Sequence, residues 1–186
     1  MVRVHCGAAV RWRTEEVRVF EVLRVAALLA ATIAAGMMAG LFAAFSYSVM
    51  PGFARTDART LVGGMQAINR AIVNGWFLTL FFGALILPGL AAALHLGEEQ
   101  RGVLPWIVAG LVLYVVTFGV TVGVNIPLNN ALEAAGDVNQ IPDVDAVRER
   151  FEAKWVRWNL VRTATSLAAF ACLTWALVLH GQIAAT

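Results

Sequence analysis

GVLPWIVAGLVLYVVTFGVTVGVNIPLNNAL, residues 102–132, runs for 31 positions without an aspartate, glutamate, lysine or arginine. A helix needs about 20 apolar residues to cross the hydrocarbon core of a bilayer. The stretch is long enough for one crossing and too short for two with a turn between them. Three more uncharged stretches accompany it, at 25–54 (30 residues), 71–97 (27) and 163–186 (24). Each has the length of a single span. The spans are expected near 25–48, 74–95, 104–126 and 162–181, with both termini on one side. Short connections make consecutive spans antiparallel neighbours. The expected fold class is therefore all-α: an integral membrane four-helix bundle of four up-down transmembrane spans.

Composition agrees. The chain is 60% hydrophobic and only 14% charged, with mean hydropathy +0.73, where a soluble domain carries about 25% charged residues. Its expected partner is the lipid bilayer. A net charge of +2 is too small to argue for nucleic acid. There is no glycine-rich phosphate loop, zinc-ligand spacing or nucleophile elbow. Cys6 and Cys172 lie in the tail and mid-span, so no disulfide framework is expected. Residues 1–22 read as a disordered N-terminal tail and 23–182 as one membrane domain. The first apolar run is too long, and preceded by too many charges, for a signal peptide. Lysines and arginines number six on the terminal side and eight in loops 1 and 3. That excess of two favours loops 1 and 3 on the cytoplasmic side, in a bacterium of the cytoplasmic membrane. A homo-oligomer is compatible with this reading.

Loops 1 and 3 carry structure of their own. Leu61, Met65, Ile68 and Ile72 recur at helical spacing, which predicts a short amphipathic helix in loop 1. In loop 3, Asp143 or Asp145 is placed to cap a helix that starts at Val144 and enters the fourth span. Phe151, Trp155, Trp158 and Val161 would be its buried face. Gly36-x-x-x-Gly40 and Gly119-x-x-x-Gly123 read as close-packing motifs between spans.

Polar groups inside a bilayer are costly unless paired, and here they are unevenly placed. The first span ends with Phe45, Ser46 and Pro51. The second is entered through Gln66, Asn69, Asn74 and Trp76. The third ends with Asn125, Pro127 and Asn129. The fourth is entered through WVRWNLVRT (155–163), which sets Trp155, Trp158, Asn159 and Arg162 on one helical stripe. In an up-down bundle all four points lie at the same membrane face. They are expected to converge on one site, with Arg162, Asn159, Asn129 and Asn125 as catalytic candidates. Ser46, Phe45, Gln66, Asn69, Asn74, Trp76, Trp155 and Trp158 are the substrate-binding candidates. The plainer readings are interfacial tryptophan anchors, an arginine snorkelling to headgroups and asparagines capping a helix end. They explain each residue alone better than they explain all four helix ends together. Pro127 puts the helical spacing of Asn125 and Asn129 in doubt. His95 and His180 fall at the opposite face, where histidines without a ligand are favoured over a bis-histidine haem. No metal is expected at the polar end.

FSYSVMPGF (45–53), MQAINRAIVNGWF (65–77), NIPLNN (125–130) and WVRWNLVRT together resemble the pattern of a membrane family formerly known as DUF1772, which includes the fungal anthrone oxygenases. The resemblance covers roughly residues 25–181. It implies a four-span protein and, from the characterised members, oxidation of an anthrone to an anthraquinone by O2 with no recognised metal or organic cofactor. The matching positions are Ser46, Pro51, Gln66, Asn69, Asn74, Asn125, Pro127, Asn129, Trp158, Asn159 and Arg162. The chemistry it implies suits such a pocket. Aromatic side chains (Phe45, Trp76, Trp155, Trp158) would stack on a flat ring system. Arg162, Asn159 and Asn129 would bond a developing oxyanion. Asp57, Glu149 and Glu152 are the acids nearest in sequence for a general base. The expected function is a membrane-embedded, cofactor-independent oxygenase of a small apolar aromatic substrate, with O2 as co-substrate. The alternatives are a small-molecule or lipid-binding carrier and a structural membrane subunit without catalysis.

Overall fold

In the computed structural model of the protein, residues 4–97 and 101–184 are described, and all regular structure among them is helical. In chain order the elements are α1 (Val4–Ala44), a π turn (Phe45–Val49), α2 (Met50–Phe53), α3 (Ala58–Ile72) and α4 (Gly75–Leu94). They continue with α5 (Leu104–Val120), a second π turn (Thr121–Asn125), α6 (Ile126–Ala134) and α7 (Val144–Ala184). Four helical stretches are long and apolar enough to cross a membrane: Arg18–Phe53, Gly75–Leu94, Leu104–Ala134 and Val144–Ile183. α1 packs on α4 and α7, and α5 packs on the same two, which closes a ring of four antiparallel helices. Lack of charge marks the part of a helix that lies in lipid, not the whole helix. That is why the first, third and fourth helices outrun the expected spans. α1 also runs back to Val4, through residues expected as a disordered tail; residues 1–3 of that tail lie outside the described part.

The two π turns explain how the first and third helices pass their prolines. Proline has no N–H, and its ring collides with the carbonyl four residues back. Pro51 and Pro127 each follow a π turn by two residues. There the backbone N–H of Met50 reaches back five residues to Phe45 O, and that of Ile126 to Thr121 O. The wider turn moves the clashing carbonyl aside and the helix continues. Pro127 therefore does not part Asn125 from Asn129.

The interior is three apolar clusters stacked along the bundle. At the loop 2 end, Leu28, Ala31 and Ala35 meet Ala91, Ile107 and Leu173. In the middle, Met38 and Phe42 meet Phe81, Ala84, Tyr114 and Ala169. At the loop 1 and loop 3 end, Met50, Leu61, Val62 and Met65 meet Leu132, Phe151 and Trp155. Small residues set the closest approaches, but not all those expected. A Cβ on Gly36 would stand 2.9 Å from the Phe170 ring, and one on Gly110 2.9 Å from Leu173. Gly40, Gly119 and Gly123 have nothing within 4 Å of that position. The expected Gly119–Gly123 contact is replaced by one at Gly110.

The loop helices lie over the third cluster. Asp57 caps α3, accepting the Thr60 N–H at 2.9 Å and the Thr60 hydroxyl at 2.8 Å. Asp143 caps α7 through the Ala146 N–H at 3.0 Å. Gln66, fully covered on α3, donates to Leu132 O and Gly136 O, both at 2.9 Å, and so ties α3 to the end of α6.

Candidate functional site

The buried positions of α7 are Phe151, Trp155, Asn159, Arg162, Ser166, Ala169, Leu173, Ala176 and His180. From Trp155 on their spacing alternates between four and three, the seam of a helix packed in a bundle. An apolar seam would be ordinary. This one carries an amide, a guanidinium and a hydroxyl at its middle. Trp158, expected on the stripe, is one position out of phase and only half-buried.

Asn159 organises the polar part. Its Nδ2 donates to Phe42 O at 3.0 Å and to Ser46 Oγ at 2.8 Å, and its Oδ1 accepts from Arg162 Nη2 at 2.7 Å. Ser46 Oγ is also 3.0 Å from Thr163 Oγ1. Thr117 and Thr165 share a hydroxyl bond of 2.7 Å between α5 and α7. Each of these serines and threonines also donates to, or lies against, a carbonyl one turn back in its own helix, the usual way a hydroxyl is satisfied in an apolar helix.

Beside this network lies a cleft of about 430 Å³. Its walls come from α1 and the first π turn (Leu41, Phe42, Phe45), α3 (Met65, Ile68, Asn69) and α4 (Phe77, Leu78, Phe81, Phe82). The third helix adds Phe118, Thr121, Val122, Asn125, Ile126 and Asn129, and α7 adds Trp155 and Arg162. The walls are mostly aromatic and aliphatic. Phe81 stacks on Phe77 and on Phe118, at centroid distances of 5.4 and 5.1 Å. Trp155 is held by Phe45 at 5.5 Å and by its Nε1 bond to Asn129 Oδ1 at 2.8 Å.

Arg162 is the anomaly. Its guanidinium sits 4.4 Å from the Phe42 ring centroid and 5.3 Å from that of Trp155, and the residue is 6% exposed. No acidic side chain pairs with it among the described residues. A buried charge costs several kcal/mol unless something opposite meets it (about 3–5 kcal/mol when a pair is broken). Three buried side-chain atoms around the cleft also make no hydrogen bond: Arg162 Nε, Asn69 Nδ2 and Asn125 Oδ1. The two donors, in an apolar cleft with an uncompensated positive charge, are groups that can bond a small anion or an oxygen that becomes one, and Asn125 Oδ1 can accept from a hydroxyl.

The expected residues divide as follows. Arg162, Asn125, Asn129, Phe45, Asn69 and Trp155 line the cleft. Asn159 stands behind Arg162 and orients it. Ser46 bonds Asn159 and lines a separate surface groove. Gln66 is a tie between loop helices. Asn74 caps α4, accepting the Phe77 N–H at 3.0 Å. Trp76 is 84% exposed and Trp158 half-buried, and neither lines the cleft. Of the acids expected near the site, Asp57 is a cap, Glu152 pairs with Arg148 at 2.6 Å and Glu149 borders the separate groove. The acid that lines the cleft is Glu133, paired with Arg70 at 2.6 Å. Sequence reading passed over it, though it follows Asn129 by one helical turn. Phe42, one turn before Phe45, was also passed over, because aromatic residues are common in every span.

At the opposite end His95 and His180 are both buried, with Nε2 of His95 3.3 Å from Nδ1 of His180 and their rings edge to face. His95 Nδ1 donates to Ala91 O at 2.7 Å. No group of three or more metal-ligating side chains occurs among the described residues.

The family model of the anthrone oxygenases matches residues 76–172, just over half of the chain. The chain belongs to the anthrone oxygenase family. No curated protein and no solved structure matches it. The matched stretch starts at the head of α4 and ends inside α7, so it contains Asn125, Asn129, Glu133, Trp155, Asn159 and Arg162. The α1 and α3 walls lie outside it.

Proposed function

We propose that the protein oxidises a small, planar, phenolic aromatic molecule of the anthrone type with O2, in the cleft beside Arg162. The observation that carries this reading is the buried Arg162 guanidinium, clamped between Phe42 and Trp155 with no acid against it. Family membership supports it. Loss of a proton from the ring CH2 of an anthrone leaves an enolate, whose oxygen would accept from Arg162 Nε and Asn69 Nδ2, the two unpaired donors at the cleft. The enolate carbon adds O2 to give a peroxide. Loss of the second C–H proton with O–O cleavage then leaves the quinone carbonyl and, with the protons returned, one water. O2 thus takes four electrons from the CH2 group, and no further reductant enters the balance. Electrostatic stabilisation in a dry, preorganised site is the protein's contribution. Glu133, at the rim with Arg70, is the acid nearest to receive the first proton. O2 is the co-substrate, and the reading calls for no resident cofactor. The setting we propose is a bacterial cytoplasmic membrane with loops 1 and 3 on the cytoplasmic side.

The test is O2 uptake by the detergent-purified protein with anthrone, alongside an optical spectrum and metal analysis. Uptake that yields anthraquinone at one O2 per anthrone, without a stoichiometric metal or chromophore, supports the reading. Anthrone bound but never consumed would favour a carrier.

A further inference from the structure

The cleft has two rims, and they differ in kind. On one side α3 and α6 are joined by the Arg70–Glu133 ion pair at 2.6 Å, and both residues line the cleft. On the other side, between α4 and the third helix, its walls are Leu78, Phe82, Val122 and Ile126, which are 39%, 45%, 47% and 41% exposed. These are apolar side chains that face outward and inward at once.

Depth decides what they face. α4 has 20 residues, which at 1.5 Å per residue is about 30 Å, the thickness of the hydrocarbon core. Its first residue, Gly75, therefore lies at one hydrocarbon boundary. Leu78 and Phe82 lie one and two turns inside it. Phe118 contacts both Phe81 and Phe82, which sets the antiparallel register, so Val122 stands level with Leu78. Ile126 falls near the boundary. Arg70, five residues before Gly75, and Glu133, two turns past Ile126, lie beyond it on the water side. The helix face that borders the opening carries Gly119 and Gly123, both exposed and with nothing within 4 Å of a Cβ position. Below the opening α4 and α5 are held together by the Phe81, Phe82 and Phe118 rings and by Tyr114 OH donating to Phe81 O at 3.1 Å.

We infer that the cleft is loaded sideways from the bilayer, through a portal between α4 and the third helix bordered by Leu78, Phe82, Val122 and Ile126. The Arg70–Glu133 pair closes the aqueous side. The ligand is an apolar aromatic molecule dissolved in lipid, which reaches Arg162 without crossing water. The chemical class of that ligand rests on the proposed function; the route itself does not. A molecule of this kind partitions into lipid, so its local concentration at such a mouth exceeds that in water.

The test follows the route with a reporter thiol and needs no substrate. Ile68, inside the cleft, is changed to cysteine in a Cys6→Ser, Cys172→Ser background and the protein is reconstituted in phosphatidylcholine vesicles. Two methanethiosulfonates are compared, one carrying a benzyl group and one a trimethylammonium group. The benzyl reagent is expected to label Ile68→Cys and the cationic one to label it far more slowly. Adding Val122→Trp or Leu78→Trp should slow benzyl labelling about tenfold, an added barrier of about 1.4 kcal/mol. Ile86→Trp, on α4 like Leu78 but at an exposed position outside the cleft, should not. Arg70→Ala should leave benzyl labelling unchanged. Faster labelling by the cationic reagent, or benzyl labelling that neither portal tryptophan slows, overturns the inference. Absence of anthrone oxidation with the labelling pattern intact would sink the proposed function and leave the portal standing.

Discussion

Arg162→Met separates the two jobs a buried arginine can have. Methionine keeps an unbranched apolar stem and removes the charge. The structure gives opposing terms for stability. The bond from Nη2 to Asn159 Oδ1 at 2.7 Å is lost, about 1.5–3 kcal/mol for a charge-assisted bond. The contacts over Phe42 and Trp155 are lost, about 0.5–2 kcal/mol each. Against them stands the relief of burying a cation with no acid partner, several kcal/mol. These nearly cancel, so the expected change in melting temperature is small, within about 8 °C at 2–4 °C per kcal/mol. Activity has no such offset. Removing one preorganised donor from a developing oxyanion costs about 10²–10³ in kcat, or 2.7–4 kcal/mol. The assay is O2 consumption with anthrone at saturation, with thermal unfolding followed by tryptophan fluorescence. Turnover within threefold of wild type would refute the oxyanion role. A melting temperature that collapses with turnover would show that Arg162 holds the bundle together instead.

Asn159→Asp should be more telling than its size suggests. It sets a carboxylate 2.7 Å from Arg162, fills the demand for an anion from inside the protein, and should lower kcat/KM for anthrone about 10²-fold; the melting temperature should fall, because the donor to Phe42 O is replaced by an oxygen. Trp155→Ala should destabilise by about 3–5 kcal/mol, as removal of a buried tryptophan does, and Trp76→Ala should change neither turnover nor melting by a measurable amount, since Trp76 is 84% exposed; paired melts and O2 uptake check both. Asp57 gives a pH signature at the α3 cap. The Thr60 backbone N–H holds its carboxyl below the usual carboxylate value. Its contribution is therefore present above the unfolded value and lost as pH falls through the lower folded one. The gap in melting temperature between wild type and Asp57→Ala should be full at pH 7 and close below about pH 4.

Much of this was legible before any coordinates, and what was not has physical causes. Spans follow from where charge is absent, because lipid tolerates little else. The cap at Asp143 follows from local chemistry that needs no tertiary contact; Asp57, read as a candidate base, turns out to cap α3 by the same chemistry. Phase is harder to read. Trp158 and Asn159 are adjacent, and which of them enters the seam depends on where the seam runs over 41 residues of α7. A nine-residue window cannot fix that. The seam is visible only with Ala169, Leu173 and Ala176 included, where small and apolar residues recur at alternating three and four. Proline misled for a related reason. Pro127 ends a helix in water, yet in lipid a broken helix would strand its carbonyls. The chain spends one π turn in its place and keeps Asn125 and Asn129 on the cleft. The same device precedes Pro51 on the first helix, at the same membrane level, and the Phe42 carbonyl three residues before that turn is where Asn159 docks. Two bulged helices and one polar seam thus meet at a single depth. Their meeting point is where Arg162 is left without an acid. A bundle selected only for packing would have an apolar residue there, so the unpaired charge is best explained by what the cleft binds.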